Sequence, residues 1–257
     1  MLINYIRKKD IQNEENPYWM SFSDLMCGFL IIFILACIAL MFELAKIKLK
    51  LTEDFTDLQE AIKELQQSEN IRNTILKEIK TNLEKDNIEV IISEDNTTLF
   101  IPDKEFHFDT GSYTINQDMK FRAEKIGKVL FEALSMKNDK GESYTKFLDT
   151  VFIEGHTDIR KWRTERGNWD LSTLRAVSLW RFWIETTEYG QKLKELTNYE
   201  DKLLFSVSGY ADTRPRVEGD TEEIFQMNRR INIRFTTKHV TVNELNSKIE
   251  GINGESK

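Results

Sequence analysis

Cysteine is nearly missing from this chain of 257 residues: Cys27 and Cys37 are the only two, and both sit in one apolar run. A disulfide framework in the rest of the chain is therefore excluded, as is any cysteine-based metal site. Histidine is equally sparse. His107, His156 and His239 stand far apart, with no His-x-x-x-His spacing, so neither a metal nor another cofactor is expected. There is no excess of basic residues either. Lys and Arg number 36 against 43 Asp and Glu, a net charge of −7, and no dense basic stripe occurs, which argues against direct nucleic-acid binding. No Ser/His/Asp order or pair of catalytic carboxylates stands out, so an enzyme is not expected.

Charge is also absent from one stretch. Between Asp24 and Glu43 no ionisable acid or base falls, and Leu25 to Phe42 gives 18 apolar-rich residues. As a helix they reach about 27 Å, near the lower limit for crossing a bilayer. Pro17, Tyr18 and Trp19 before the run fit the interfacial edge of a membrane helix. The run is long for a signal-peptide core, no small-x-small cleavage site follows it, and a charged helix begins at once, so a retained single span is expected. Basic residues flank both ends (Arg7, Lys8 and Lys9; Lys46, Lys48 and Lys50), so the charge rule leaves orientation open. Asp24, at the entrance, has two readings. It can complete a capping box with Ser21 as the N-cap. Alternatively it is a protonatable group held inside a membrane channel, where an ionisable residue costs about 2.5–3.5 kcal/mol at mid-span and marks function.

From Leu44 the pattern becomes heptads. Leu44, Leu51, Leu58 and Leu65 recur every seven residues, with Ile47, Phe55 and Ile62 along the companion seam. After Gln66, Gln67 and Ser68 the phase shifts, and Ile71, Ile75, Leu76, Ile79 and Leu83 continue a helical face. The pattern predicts a helix over 44–86, read as a two-stranded parallel coiled coil and hence a homodimer. One long helix lying on another protein, or folded back as a hairpin, is the alternative. Beyond Asn87 the texture is mixed. Strands are predicted at 88–92 and 97–101 around Glu94-Asp95-Asn96, and at 151–154, 203–208 and 231–236. Helices are predicted at 119–134 and at 171–188, the latter with Leu174, Val177 and Ile184 inward. Residues 240–257 read as a polar tail.

Four separated blocks then stand in order: Ile153-Glu154-Gly155-His156-Thr157-Asp158; Asn168-Trp169-Asp170-Leu171-Ser172-Thr173-Leu174-Arg175-Ala176; Ser208-Gly209-Tyr210-Ala211-Asp212 with Pro215; and Asn228-Arg229-Arg230-Ile231. Over about residues 88–237 they resemble the OmpA-like peptidoglycan-binding domain. With the span and the heptad helix read above, the resemblance completes an α/β chain: a single transmembrane helix, a long coiled-coil-like helix and an OmpA-like α+β sandwich domain. The segments are then 1–18 (tail), 19–43 (span), 44–86 (helix), 87–239 (domain) and 240–257 (tail). It also implies a ligand, the peptidoglycan stem peptide, whose diaminopimelate carries a free amine and carboxylate. Asp158 matches the position that pairs the amine and Arg175 the position that grips the carboxylate; a guanidinium suits that role through two parallel hydrogen bonds. Asn168 matches a position that shapes the pocket, and Asp109 and Thr110 match its rim. One of Arg229 and Arg230 is expected to support the fold. The loop 159–167 departs from the family in being longer and more basic.

The N-terminal stretch Trp19-Met20-Ser21-Phe22-Ser23-Asp24-Leu25-Met26 resembles the opening of the membrane helix in MotB-type stator subunits. That likeness implies that Asp24 carries the coupling ion, a proton with sodium not excluded. It further implies an inner-membrane location, a cytoplasmic N-terminus and a periplasmic domain. The expected partners are a second copy, a multi-span MotA-like protein forming a pentamer around the dimer, peptidoglycan and the membrane. Heptads directly after the span and the wording around Asp24 are most similar to the B subunit of the Zorya anti-phage defence system, whose partner is the A subunit. A flagellar MotB-type stator and a static dimeric tether between membrane and wall are the alternatives.

Overall fold

The computed structural model describes residues 17–109 and 111–238. The readings made for the N-terminal tail up to residue 16, for Thr110, for His239 and for the 240–257 tail lie outside the described residues. The chain is mixed helix and sheet, with a long N-terminal helix and a C-terminal α/β domain.

Helix α1 runs from Pro17 to Lys85. Up to Leu58 it belongs to one compact unit of the chain, and from Gln59 onward to a second. In the first unit every described residue is helical and almost every side chain is exposed. Among the described residues this is the one helix long and apolar enough to cross a membrane. It starts a full turn before Ser21, so Ser21 lies within the helix and cannot act as its N-cap. The capping-box reading of Asp24 is thereby corrected.

In the second unit the heptad helix divides at the predicted phase shift. Leu51 and Phe55 of the first unit, and Ile62 and Leu65 of the second, are exposed, whereas Ile71, Ile75, Leu76, Ile79 and Leu83 are buried in the domain's core. The later apolar positions therefore do not continue a seam toward a second chain. They pack beneath the sheet of their own domain, which extends the folded unit well upstream of Asn87.

Among the described residues five strands follow: β1 (Ile91–Ile92), β2 (Thr98–Pro102), β3 (Leu148–His156), β4 (Phe205–Gly209) and β5 (Arg230–Thr237). Their order in the sheet is β1-β2-β5-β3-β4, and only β3 and β4 run parallel. A parallel neighbour demands a crossover, and helix α3 (Asn168–Thr186) lies within that connection and packs on both strands. Helix α2 (Gln117–Leu134) begins with an Asn116 cap, its side chain accepting from Met119 N at 3.0 Å, and packs against α3. Trp183 Nε1 of α3 donates to the Ala123 carbonyl of α2 at 2.6 Å, which satisfies a fully buried indole. Two short helices not foreseen in the sequence, α4 (Gly190–Lys194) and α5 (Glu222–Asn228), fill the connections around β4.

The strands alternate cleanly. Val151 and Ile153 of β3, Ile231, Ile233 and Phe235 of β5, and Leu99 and Ile101 of β2 join the core with the helices. The opposite face carries Phe100 and Phe152 together with cross-paired polar groups: Glu154 sits opposite Asn232, and His156 opposite Arg230. Arg234 Nε donates to Glu154 Oε1 at 2.7 Å, and Asn232 Nδ2 lies 2.8 Å from His156 Nε2.

The inward stripe of α3 differs from the expected one. Leu171, Arg175, Leu179 and Trp183, spaced by four, are buried together with Ser172 and Ala176, while Leu174, Val177 and Ile184 are only half-buried. An apolar count misses the stripe because two of its members are polar. Both have partners that make their burial tolerable.

Candidate functional site

The site forms where the ends of β2, β3 and α3 converge. Gly155 of β3 faces Gly209 of β4 across the parallel pair. A Cβ on either would collide with the first turns of α3, at the Ser172 carbonyl or at Thr173. Two facing glycines thus let α3 lie directly on the strands. Ser172 Oγ then accepts from Ala211 N at 3.0 Å, which fastens the loop after β4 to the helix. One turn along α3, Arg175 is carried to the cleft floor.

Arg175 is 4 % exposed. Its Nε donates to Ser112 O at 3.0 Å and its Nη2 to Asp109 O at 3.3 Å, and the guanidinium lies 5.0 Å from the centre of the Phe108 ring. Among the described residues no carboxylate comes within ion-pair distance of it. Burial pulls its pKa down to about 10, partly countered by the negative charges of Asp103 and Asp158. It remains a cation at neutral pH. A buried cation held only by backbone carbonyls is short of an anion.

Asp158 lies two residues past β3 and is also buried. Its Oδ1 accepts from Arg160 N at 2.9 Å, and its Oδ2 accepts from Arg160 Nη2 at 2.6 Å and Arg229 Nη1 at 2.9 Å. Burial works against the ionised form, but the hydrogen bonds from Arg160 and Arg229 outweigh it and hold the carboxyl below the usual aspartate range. Expected to receive a ligand's amine, Asp158 instead has two arginines of its own chain upon it.

Asn168, the first residue of α3, spans the loop between them. Its Oδ1 accepts from Trp162 N at 3.0 Å, while its Nδ2 donates to Asp158 O at 3.1 Å and Asp212 Oδ1 at 3.4 Å. The basic loop 159–167 is thereby folded over the cleft. Asp109 is exposed at the rim, and its contribution is the backbone carbonyl that meets Arg175. The cleft encloses about 330 Å³, with Phe108, Trp162, Asn168, Leu171, Arg175 and Arg229 among its walls. Asp24 belongs to the other unit of the chain and is exposed on α1.

No protein-family model matches the chain. Over 240 residues it is 23% identical to the uncharacterized protein YtxE of Bacillus subtilis (strain 168), covering 86% of this chain and 89% of that one. Among solved structures it is similar to the periplasmic domain of Helicobacter pylori MotB, at 21% identity and a TM-score of 0.47 over 69% of this chain and 96% of that one. It is also similar to a putative MotB like protein from Desulfovibrio vulgaris, at 14% identity and a TM-score of 0.48 over 69% of this chain and 98% of that one.

The two consecutive arginines before β5 part company. Arg230 is buried, donates to the carbonyls of Asn228 and Arg214 at 3.0 Å each, and supports the fold. Arg229 enters the cleft. Besides Asp158 it reaches Asp103 Oδ2 at 3.2 Å and Glu222 Oε1 at 3.2 Å. Asp103 and Glu222 had no signature in the sequence. They lie far apart in the chain, after β2 and at the start of α5, and share Arg229 as a partner.

Proposed function

We propose that this chain is the wall-anchored subunit of a proton-driven stator complex in the bacterial inner membrane. The C-terminal domain takes the peptidoglycan stem peptide, and the N-terminal helix crosses the membrane with Asp24 as the proton carrier. The observation that carries the anchoring half is Arg175: a buried guanidinium lining an open cleft, with carbonyl partners but no anionic one among the described residues. A peptide carboxylate supplies the missing charge in the planar, two-bond geometry that a guanidinium favours. Asn168 sets the loop that walls the cleft, and Asp109 stands at its rim.

The membrane half rests on Asp24. With α1 starting at Pro17, a cap no longer accounts for this carboxylate, and an acid at the mouth of an apolar helix is a functional group by default. A dimer joined along the exposed Leu44-to-Leu65 seam presents two such acids to a multi-span MotA-like partner, a pentamer around the dimer. The membrane potential supplies about 2.3 kcal/mol per charge per 100 mV, which drives loading and release of protons on each acid in turn. The N-terminus is then cytoplasmic and the domain periplasmic, and the wall-bound domain keeps this subunit from turning. Heptads immediately after the span favour the Zorya-type B subunit, and so anti-phage defence, over a flagellar stator.

The test is Asp24→Asn, co-expressed with the neighbouring membrane partner and scored for phage protection and for intact complex on a native gel. Asparagine keeps the size but carries no proton. Loss of protection with normal assembly is the expected result. Full protection by the variant would leave a static tether in its place. If the wild-type complex itself gives no protection, swimming motility becomes the assay and the flagellar assignment replaces the defensive one.

A further inference from the structure

We propose that Arg160 closes the ammonium side of this cleft, so that the cleft selects a carboxylate irrespective of the amine beside it. The inference rests on the anchoring function above and names what determines its specificity.

Three donors already occupy Asp158: the Arg160 amide on Oδ1, and the guanidinium groups of Arg160 and Arg229 on Oδ2. A carboxylate offers about four lone-pair positions, so little of Asp158 is left to receive a ligand. Arg160 is no free-swinging side chain. Its Nη1 donates to Glu222 Oε2 at 3.0 Å, and its guanidinium lies 4.7 Å from the centre of the Phe225 ring. It is thus held by Asp158 and by two residues of α5. The charge around the cleft points the same way. Arg160, Lys161, Arg175 and Arg229 face it against Asp158 and Glu222. An ammonium group approaching Asp158 meets two guanidinium groups first. A carboxylate approaching Arg175 meets a cation with no ionic partner. The two halves of a zwitterionic ligand are therefore received unequally, and Arg160, contributed by the basic loop, is the residue that makes them so.

The experiment uses the full chain in detergent micelles and two tripeptide stems ending in diaminopimelate, one with its side-chain amine free and one with that amine acetylated. Calorimetry on the wild type is expected to give about equal affinities. In Arg160→Ala the free-amine peptide is expected to bind about tenfold tighter than the acetylated one, the effect of one charge-assisted hydrogen bond regained. Arg160→Lys, which restores a cation but not the fork, is expected to return toward the wild-type pattern. Acetylation weakening the wild type as strongly as Arg160→Ala would overturn this inference and leave wall anchoring intact. Failure of both proteins to bind either peptide would remove the anchoring function, and this inference with it.

Discussion

Arg229 Nη1 stands 2.9 Å from Asp158 Oδ2, although 71 residues separate the two in the chain. The same guanidinium reaches Asp103, so the ends of β2 and β3 and the start of β5 are tied by one side chain. All three groups are largely buried, and Arg229 supplies hydrogen-bond donors to both carboxylates.

Arg229→Ala is expected to destabilise the domain by about 2–3 kcal/mol, because Asp103 and Asp158 lose charged hydrogen bonds while staying out of water. A urea titration at pH 7 measures this. The same variant should lose part of its disadvantage in acid. The Asp158 carboxyl is held below its ordinary range, so its stabilisation is complete above the unfolded value and vanishes as pH falls through the folded one. An unchanged urea midpoint would mean that the pairing contributes nothing.

His156 gives a separate pH dependence. Burial, with Arg230 and Arg214 adding repulsion, lowers its pKa from 6.5 to about 3. Between those values the unfolded chain binds a proton that the folded chain refuses, so stability is full above pH 6.5 and declines as pH falls. About 2 kcal/mol should be lost by pH 5. His156→Gln keeps a hydrogen-bonding group beside Asn232 Nδ2 and removes the titration. Its urea midpoint should stay level from pH 7 to pH 5, and a parallel decline in both proteins would assign the effect elsewhere.

Arg175→Lys keeps the charge but not the two parallel donors. Sedimentation of the full chain with isolated peptidoglycan, in detergent, is expected to weaken at least about tenfold, since one charge-assisted hydrogen bond is worth that much. Binding equal to wild type would place the wall contact away from this cleft.

Ile75 and Leu51 lie on the same helix and answer different questions. Ile75→Ala empties a fully buried position in the domain and should cost about 2–5 kcal/mol of its stability. Leu51 is exposed, and Leu51→Ala should leave domain unfolding unchanged while weakening the dimer, read by sedimentation equilibrium. If both variants shift domain unfolding alike, the seam at Leu51 serves the domain and not a second copy.

Much of the chain was legible as a sequence because its signals are local. A charge-free run, heptads and alternating strands report which face of an element is apolar, and the membrane-helix candidate, α2 and the main strands follow from that. Asp158, Asn168 and Arg175 were marked by a family resemblance, and the structure places all three around one cleft. Periodicity is silent on what covers an apolar face. It showed one helix with a phase shift at Gln66-Gln67-Ser68, and only packing decided that Ile71 to Leu83 enter the core while Leu51 and Phe55 stay exposed. It likewise chose the wrong stripe on α3, because Ser172 and Arg175 are buried by partners that come from distant loops. The central place of β5 and the junction of Arg229 with Asp103 and Asp158 were decided by the tertiary structure alone. Each depends on groups that the chain brings together only when the sheet is assembled, and charge pairing at that range leaves no period in the sequence.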